Sequence, residues 1–182
     1  MKHAAKRVKR RPFGDYSAYI SELKRLAESP QCAADWNARA VAALNGQASI
    51  ELRRLTSVEM RRKFGAFFTG TDLSSRLFVH GGAIGTESVF YDPACGMGDL
   101  LIAAANRLPL CKNISETLRQ WGQQLSGTDI HREFIEGTRM RLVLLARHRH
   151  ATGEPLDIPC TTFFPHIRVA DGLKQRALFE RT

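Results

Sequence analysis

The segment Asp92-Pro93-Ala94-Cys95-Gly96-Met97-Gly98-Asp99 sets a carboxylate ahead of two closely spaced glycines, between an apolar run and a helical pattern. Glycines at such a junction let backbone come close to a ligand. In an α/β unit this turn lies at the carboxyl end of a strand, where nucleotides bind. A dinucleotide fingerprint needs Gly or Ala three residues after the second glycine, and that position is Leu101. Asp92 would also repel a pyrophosphate. No Gly-Lys-Ser/Thr follows a glycine loop, so a phosphate-cradling loop is excluded as well. A carboxylate before the glycines suits a cationic ligand, and S-adenosylmethionine carries both an ammonium and a sulfonium.

Two further acids have comparable settings, Asp129 in Gly127-Thr128-Asp129-Ile130 and Asp171 in Val169-Ala170-Asp171-Gly172-Leu173. Asp92, Asp129 and Asp171 each end a short apolar segment. In a parallel sheet the three carboxylates are therefore expected at one edge. Any one of them taken alone reads equally well as a helix N-cap; the trio around two glycines favours a ligand site.

The glycine segment resembles the Asp-Pro-Ala-Cys-Gly-Ser-Gly cofactor motif of the N6-adenine DNA methyltransferases, with Met97 in place of the serine. Upstream, Lys63-Phe64-Gly65-Ala66-Phe67-Phe68-Thr69 is similar to the Gly-x-Phe/Tyr-Phe/Tyr-Thr-Pro element of that family, with Gly70 where the proline stands. Gly127 to Ile130 and Val169 to Leu173 resemble its second and third acidic elements. The likeness spans residues 61–173. It implies a Rossmann-like α/β methyltransferase fold binding S-adenosyl-L-methionine. The implied contacts are Asp92, Pro93, Ala94, Gly96 and Gly98 at the methionine part and Asp129 on the ribose hydroxyls. Ile130 would press on the adenine face, Asp171 would take the adenine amino group, and Thr69 with Phe67 would hold the methionine carboxylate. The chemistry implied is direct attack of an adenine N6 on the sulfonium methyl, without a metal.

In the family, an Asn/Asp-Pro-Pro-Tyr/Phe element receives the target amine and stacks on the flipped base. No such segment occurs in this sequence. The expectation is a C-terminally truncated fold, the cofactor-binding portion of a restriction-modification adenine methyltransferase, inactive alone: a fragment, a split subunit that acts with a complementary catalytic subunit, or the product of a disrupted gene. The alternatives are a fragment of an RNA or protein methyltransferase, or a non-catalytic DNA-tethering module.

The elements that would carry these residues can be read from periodicity and caps. Residues 1–12 form a basic arm, 13–64 a helical N-terminal layer, and 65–182 the cofactor-binding α/β part. Asp15 opens a helix in which Tyr16, Tyr19, Ile20, Leu23 and Ala27 share a face. Trp36, Ala40, Val41 and Leu44 mark a second, stopped near Gly46. Thr56-Ser57-Val58-Glu59 reads as a capping box for a third, through Lys63. Thr71-Asp72 starts another, ending at Gly81-Gly82. Ser88 to Tyr91 and Ser126 to Ile130 read as strands, with helical patterns after Gly98 (Leu101, Ala104, Ala105, Leu108) and after Asn113 or Ser115 (Ile114, Leu118, Trp121, Leu125). His131 to His150 is a basic helix with Ile135, Leu142 and Leu145 inward and Arg132, Arg139, Arg141 and Arg147 outward. Thr152 to Pro155 breaks it, and 158–164 with 167–170 supplies the third strand.

The chain of 182 residues is 43% hydrophobic, enough for one domain with a core. Six of its nine net positive charges precede the first acid, at Lys2, Lys6, Arg7, Lys9, Arg10 and Arg11. Such an arm, with the arginine-rich helix, is expected to contact nucleic acid phosphates without sequence preference. No apolar run reaches the length of a membrane span and no secretory pattern follows the basic N-terminus, which predicts a cytoplasmic protein. Cys32, Cys95, Cys111 and Cys160 show no metal or disulfide spacing and read as buried thiols.

Overall fold

In the computed structural model, residues 13–78, 87–151, 156 and 162–174 are described. The basic arm, Gly81-Gly82, the break at 152–155, the strand material at 158–161 and Cys160 lie outside them. A 3-10 turn at Gly14–Tyr16 leads into five helices: α1 Ser17–Glu28, α2 Trp36–Leu44, α3 Gln47–Leu55, α4 Val58–Phe64 and α5 Thr71–Leu77. Then follow β1 Phe90–Asp92, α6 Asp99–Ala105, α7 Ile114–Gln124, β2 Leu125–Asp129, α8 Arg132–His150 and β3 Ile167–Val169. The chain is mixed α/β, mostly helical, with one parallel sheet of order β1-β2-β3 among the described residues.

Local chemistry accounts for several boundaries. Asn113 Oδ1 accepts the Glu116 N–H at 2.9 Å, the N-cap bond that starts α7. The capping box is shifted by one residue. Ser57 caps α4 through Met60 N at 3.2 Å, while the Thr56 hydroxyl turns back to Leu52 O. Gly46, expected as a stop, adopts φ +88° and opens α3 at once, a helix the sequence reading did not separate from its surroundings. α1 starts at Ser17 with no side-chain cap from Asp15.

The core runs without a break from Tyr16, Leu23 and Trp36 of the N-terminal helices to Leu101, Leu118, Leu125 and Phe164 around the sheet. Its axis is α8, which packs against α1 and α2 on one side and against α6, α7, β2 and β3 on the others. A helix covered on most of its sides keeps only a narrow solvated stripe. This corrects the expectation for its arginines. Arg141 is 0% and Arg147 4% exposed. Arg147 donates to Ala27 O and stacks over Trp36, while half-buried Arg139 donates to Ile167 O. Of the four, Arg132 points outward and pairs with Glu136 at 2.6 Å. Arg141 and Arg147 are therefore buried rather than outward. Cys32 is likewise exposed rather than buried. Among the described residues no helix is long and apolar enough to cross a membrane.

Candidate functional site

Asp92 and Asp129 end β1 and β2, Asp171 lies two residues past the end of β3, and each carboxylate closes a tight turn on the backbone two residues on. Asp92 Oδ1 accepts Ala94 N at 3.0 Å, Asp129 Oδ1 accepts His131 N at 2.8 Å, and Asp171 Oδ1 accepts Leu173 N at 3.1 Å. They are Asx turns rather than helix caps. A carboxylate has about four lone-pair sites, so each keeps acceptor capacity for a ligand.

The register sets how the carboxylates converge. Asp92 lies opposite Gly127, and Asp129 lies opposite Val169. Asp129 therefore stands two residues beyond the level of Asp92, and Asp171 two beyond that of Asp129, steps of about 6–7 Å along a strand. The three acids follow a diagonal instead of sharing one edge. Asp129 and Asp171 line a cavity of about 220 Å³ with Pro93, Ala94, Gly96 and Ile130. Asp92 lies across Pro93, in an adjoining hollow beside Leu77, Phe78 and Phe90.

The cavity's second wall comes from residues 64–68 and Phe134, and its lip from Ala170, Gly172 and Leu173. Phe67, Ile130 and Leu173 are 65%, 56% and 97% exposed, so its rim is both apolar and open. Phe67 thus joins the lining as expected, whereas Thr69 is exposed and outside it. A flat heterocycle fits between apolar side chains of this kind, with donors directed at the acids below.

Gly96 and Gly98 have different tasks. Gly96, at φ +52°, donates its N–H to Asp129 Oδ2 at 3.1 Å, and a Cβ there would meet the Phe68 ring at 3.1 Å. Gly98, at φ +81°, does not line the cavity. A Cβ there would sit 2.5 Å from Thr138 Cγ2, so this glycine allows α8 to press against the turn. Thr138 completes the contact by donating to Gly96 O at 2.8 Å. Cys95, just before them, is buried, and burial pushes its thiol well above the ordinary range, which disfavours a thiolate there.

A buried clamp that the sequence reading missed holds these pieces together. Arg141 donates to Asp99 Oδ1 at 2.8 Å, to Ala43 O at 2.9 Å, to Leu44 O at 3.2 Å and to Met97 O. Asp99 Oδ2 in turn accepts Gly70 N at 3.0 Å, which ties down the end of the segment carrying Phe67 and Phe68. The available signal was a single arginine leading the apolar run Leu142-Val143-Leu144-Leu145-Ala146, a pattern that places a charge in a core.

His131 opens the basic helix, where its sequence setting among arginines points to a solvated or phosphate-facing imidazole; the structure buries it instead. Its ring is 8% exposed and stands edge-on to Phe13, Phe64 and Phe134. Its Nε2 is buried without a hydrogen-bond partner among the described residues. An unpaired buried polar atom costs about 1–3 kcal/mol.

Electrostatically, the site is poised for positive charge. Burial raises the carboxyl of Asp92 above the usual range against the Ala94 hydrogen bond, and the charge of Asp129 adds to the rise. Burial raises Asp129 too, opposed by its hydrogen bonds to His131 and Gly96 and by the imidazole of His131. Such groups hold protons more tightly folded than unfolded. Their stabilising contribution is present below the unfolded carboxylate range and is lost as pH rises through the raised folded values. Asp92→Asn removes the buried charge and keeps the acceptor for Ala94. It is expected to be more stable than the parent at neutral pH, by a margin that closes on acidification. Thermal unfolding of both proteins across pH 3–8 checks this, and a margin constant with pH would contradict it.

No protein family, characterised protein or solved structure matches the chain.

Proposed function

We propose that this chain binds S-adenosylmethionine in the cavity above β2, as the cofactor-binding part of an adenine-N6 DNA methyltransferase with a Rossmann-like fold. The observation that carries the reading is the joint placement of Asp129 and Asp171 in one cavity with the Pro93–Gly96 turn and the exposed Ile130. Two acceptor-only groups, one at the end of β2 and one in the loop after β3, suit a nucleoside that offers ribose hydroxyls to one and an exocyclic amine to the other. The raised carboxyls of Asp92 and Asp129 favour a cationic ligand over a phosphorylated one, since a nearby positive charge relieves the cost of their burial. In this reading Gly96 gives close approach, Ile130 covers the base, and Asp92 contributes long-range charge.

DNA as the target, and adenine as its base, rest on the resemblance of residues 61–173 to the methyltransferase elements. The Asn/Asp-Pro-Pro-Tyr/Phe segment is absent from these 182 residues. In this reading the chain supplies the cofactor's site and not the methyl acceptor's.

Titration calorimetry with S-adenosylmethionine tests the reading. Asp129→Ala is expected to weaken binding by about 1–3 kcal/mol through loss of the ribose hydrogen bonds. Equal affinity in parent and variant would remove Asp129 from the site.

A further inference from the structure

A nucleoside with an amino-acid arm brings an anion into a cavity whose charged side chains, Asp129 and Asp171, repel it. Ionised carboxylates accept hydrogen bonds and cannot donate. Among the described lining residues no lysine or arginine is present, and His131 has the one side chain able to donate a hydrogen bond. Thr69, to which the family resemblance gives the carboxylate, is exposed and outside the lining. The ligand's carboxylate thus lacks its expected partner, and the imidazole lacks one as well.

The surroundings of His131 make the match specific. The ring is packed 4.6 Å from Phe13, 5.1 Å from Phe134 and 5.7 Å from Phe64, centroid to centroid. Two of those rings, Phe64 and Phe134, themselves face the cavity. Nothing polar among the described residues meets Nε2. A histidine kept merely for packing is better served by phenylalanine, which fills the same space without an unpaired nitrogen.

We propose that His131 is the specificity residue for the carboxylate of the cofactor's amino-acid arm. Rotation of its ring about Cβ–Cγ presents Nε2–H to that carboxylate from among the aromatic side chains. The bond is charge-assisted and formed away from bulk water, which places it among the stronger hydrogen bonds. This assignment rests on the S-adenosylmethionine reading of the cavity. It adds a discrimination that the two aspartates cannot supply, between the intact cofactor and nucleosides lacking the acid.

The test pairs S-adenosylmethionine with its decarboxylated analogue, which keeps the nucleoside, the sulfonium and the amine. His131→Phe preserves the aromatic packing and removes the nitrogen. Calorimetry is expected to show a loss of about 10- to 100-fold in affinity for S-adenosylmethionine and no change for the analogue. His131→Gln, which retains an N–H, is expected to recover part of the loss, and it serves as the test variant if the phenylalanine form does not fold. Equal losses for the two probes, or no loss for either, would overturn the assignment and leave the cofactor site standing. Failure of the parent protein to bind either probe would overturn the cofactor reading itself, and the role of His131 with it.

Discussion

Arg141→Met is expected to destabilise the protein by about 3–5 kcal/mol, because it leaves the Asp99 carboxylate buried without its cation. The side chains of Arg141 and Asp99 are 0% and 8% exposed, so water cannot take over the lost contact. The loss also uncaps three carbonyls, those of Ala43, Leu44 and Met97. Two of these belong to the end of α2 and one to the glycine turn, so a single guanidinium joins the helical layer to the turn beside the cavity. Removing both charges in Arg141→Met/Asp99→Asn is expected to restore part of the stability and not all of it, since the carbonyls and Gly70 N remain to be satisfied. Urea unfolding of the two single variants and the double variant measures the coupling. Additive losses would show that the pair does not act as a unit.

Gly172→Ala is the second large effect, and it separates the site from the core. A Cβ at this position would lie 2.1 Å from Pro93 O and 2.8 Å from Thr128 Oγ1, the first a backbone atom that has little room to yield. Thr128 already donates to that same carbonyl at 2.9 Å, which pins it from the other side. The loop after β3 must therefore lift away from the loop after β1, carrying Asp171 and Leu173 with it. Overpacking of this kind costs about 1–3 kcal/mol. Affinity for S-adenosylmethionine is expected to fall by about tenfold as the Asp171 contact is lost. Binding at parental affinity in a folded Gly172→Ala protein would show that the lip formed by residues 170–173 plays no part.

Much of the site's chemistry was legible because it is local. Asp92 and Asp129 end their strands as the apolar segments before them imply, Asp171 lies two residues past the third, and the cap at Asn113 and the stop after Leu44 follow from residues within four positions. What could not be read is set by distant partners. The stagger that separates Asp92 from the cavity is a property of strand register, and nothing within residues 88–92 encodes it. The burial of Arg141 and Arg147 depends on α1 and α2 covering the face of α8 that its own sequence marks as polar. In the sequence Gly98 looks ligand-facing because a glycine does not say which neighbour needs its space. Thr138, forty residues later, turned out to be the neighbour that needs the room. His131 lacked any motif, and its isolation among Phe13, Phe64 and Phe134 arises from three separate segments.

The arrangement also shows how the cofactor reading depends on the fold. The cavity floor is made by the loops after β1 and β2, and Asp129 bonds to Gly96 across them. Its wall is held by Asp99 through Gly70 N, and Asp99 is held by Arg141. Disturbing any of these links should alter ligand binding before it alters the sheet.

The most direct test is the amide spectrum of the isotope-labelled chain titrated with S-adenosylmethionine. Saturable shifts are expected to gather at Gly96, Ile130, His131 and Gly172, with Gly122 in α7 unmoved. An unchanged spectrum at saturating ligand, or shifts centred away from the loops after β1, β2 and β3, would contradict the cofactor reading.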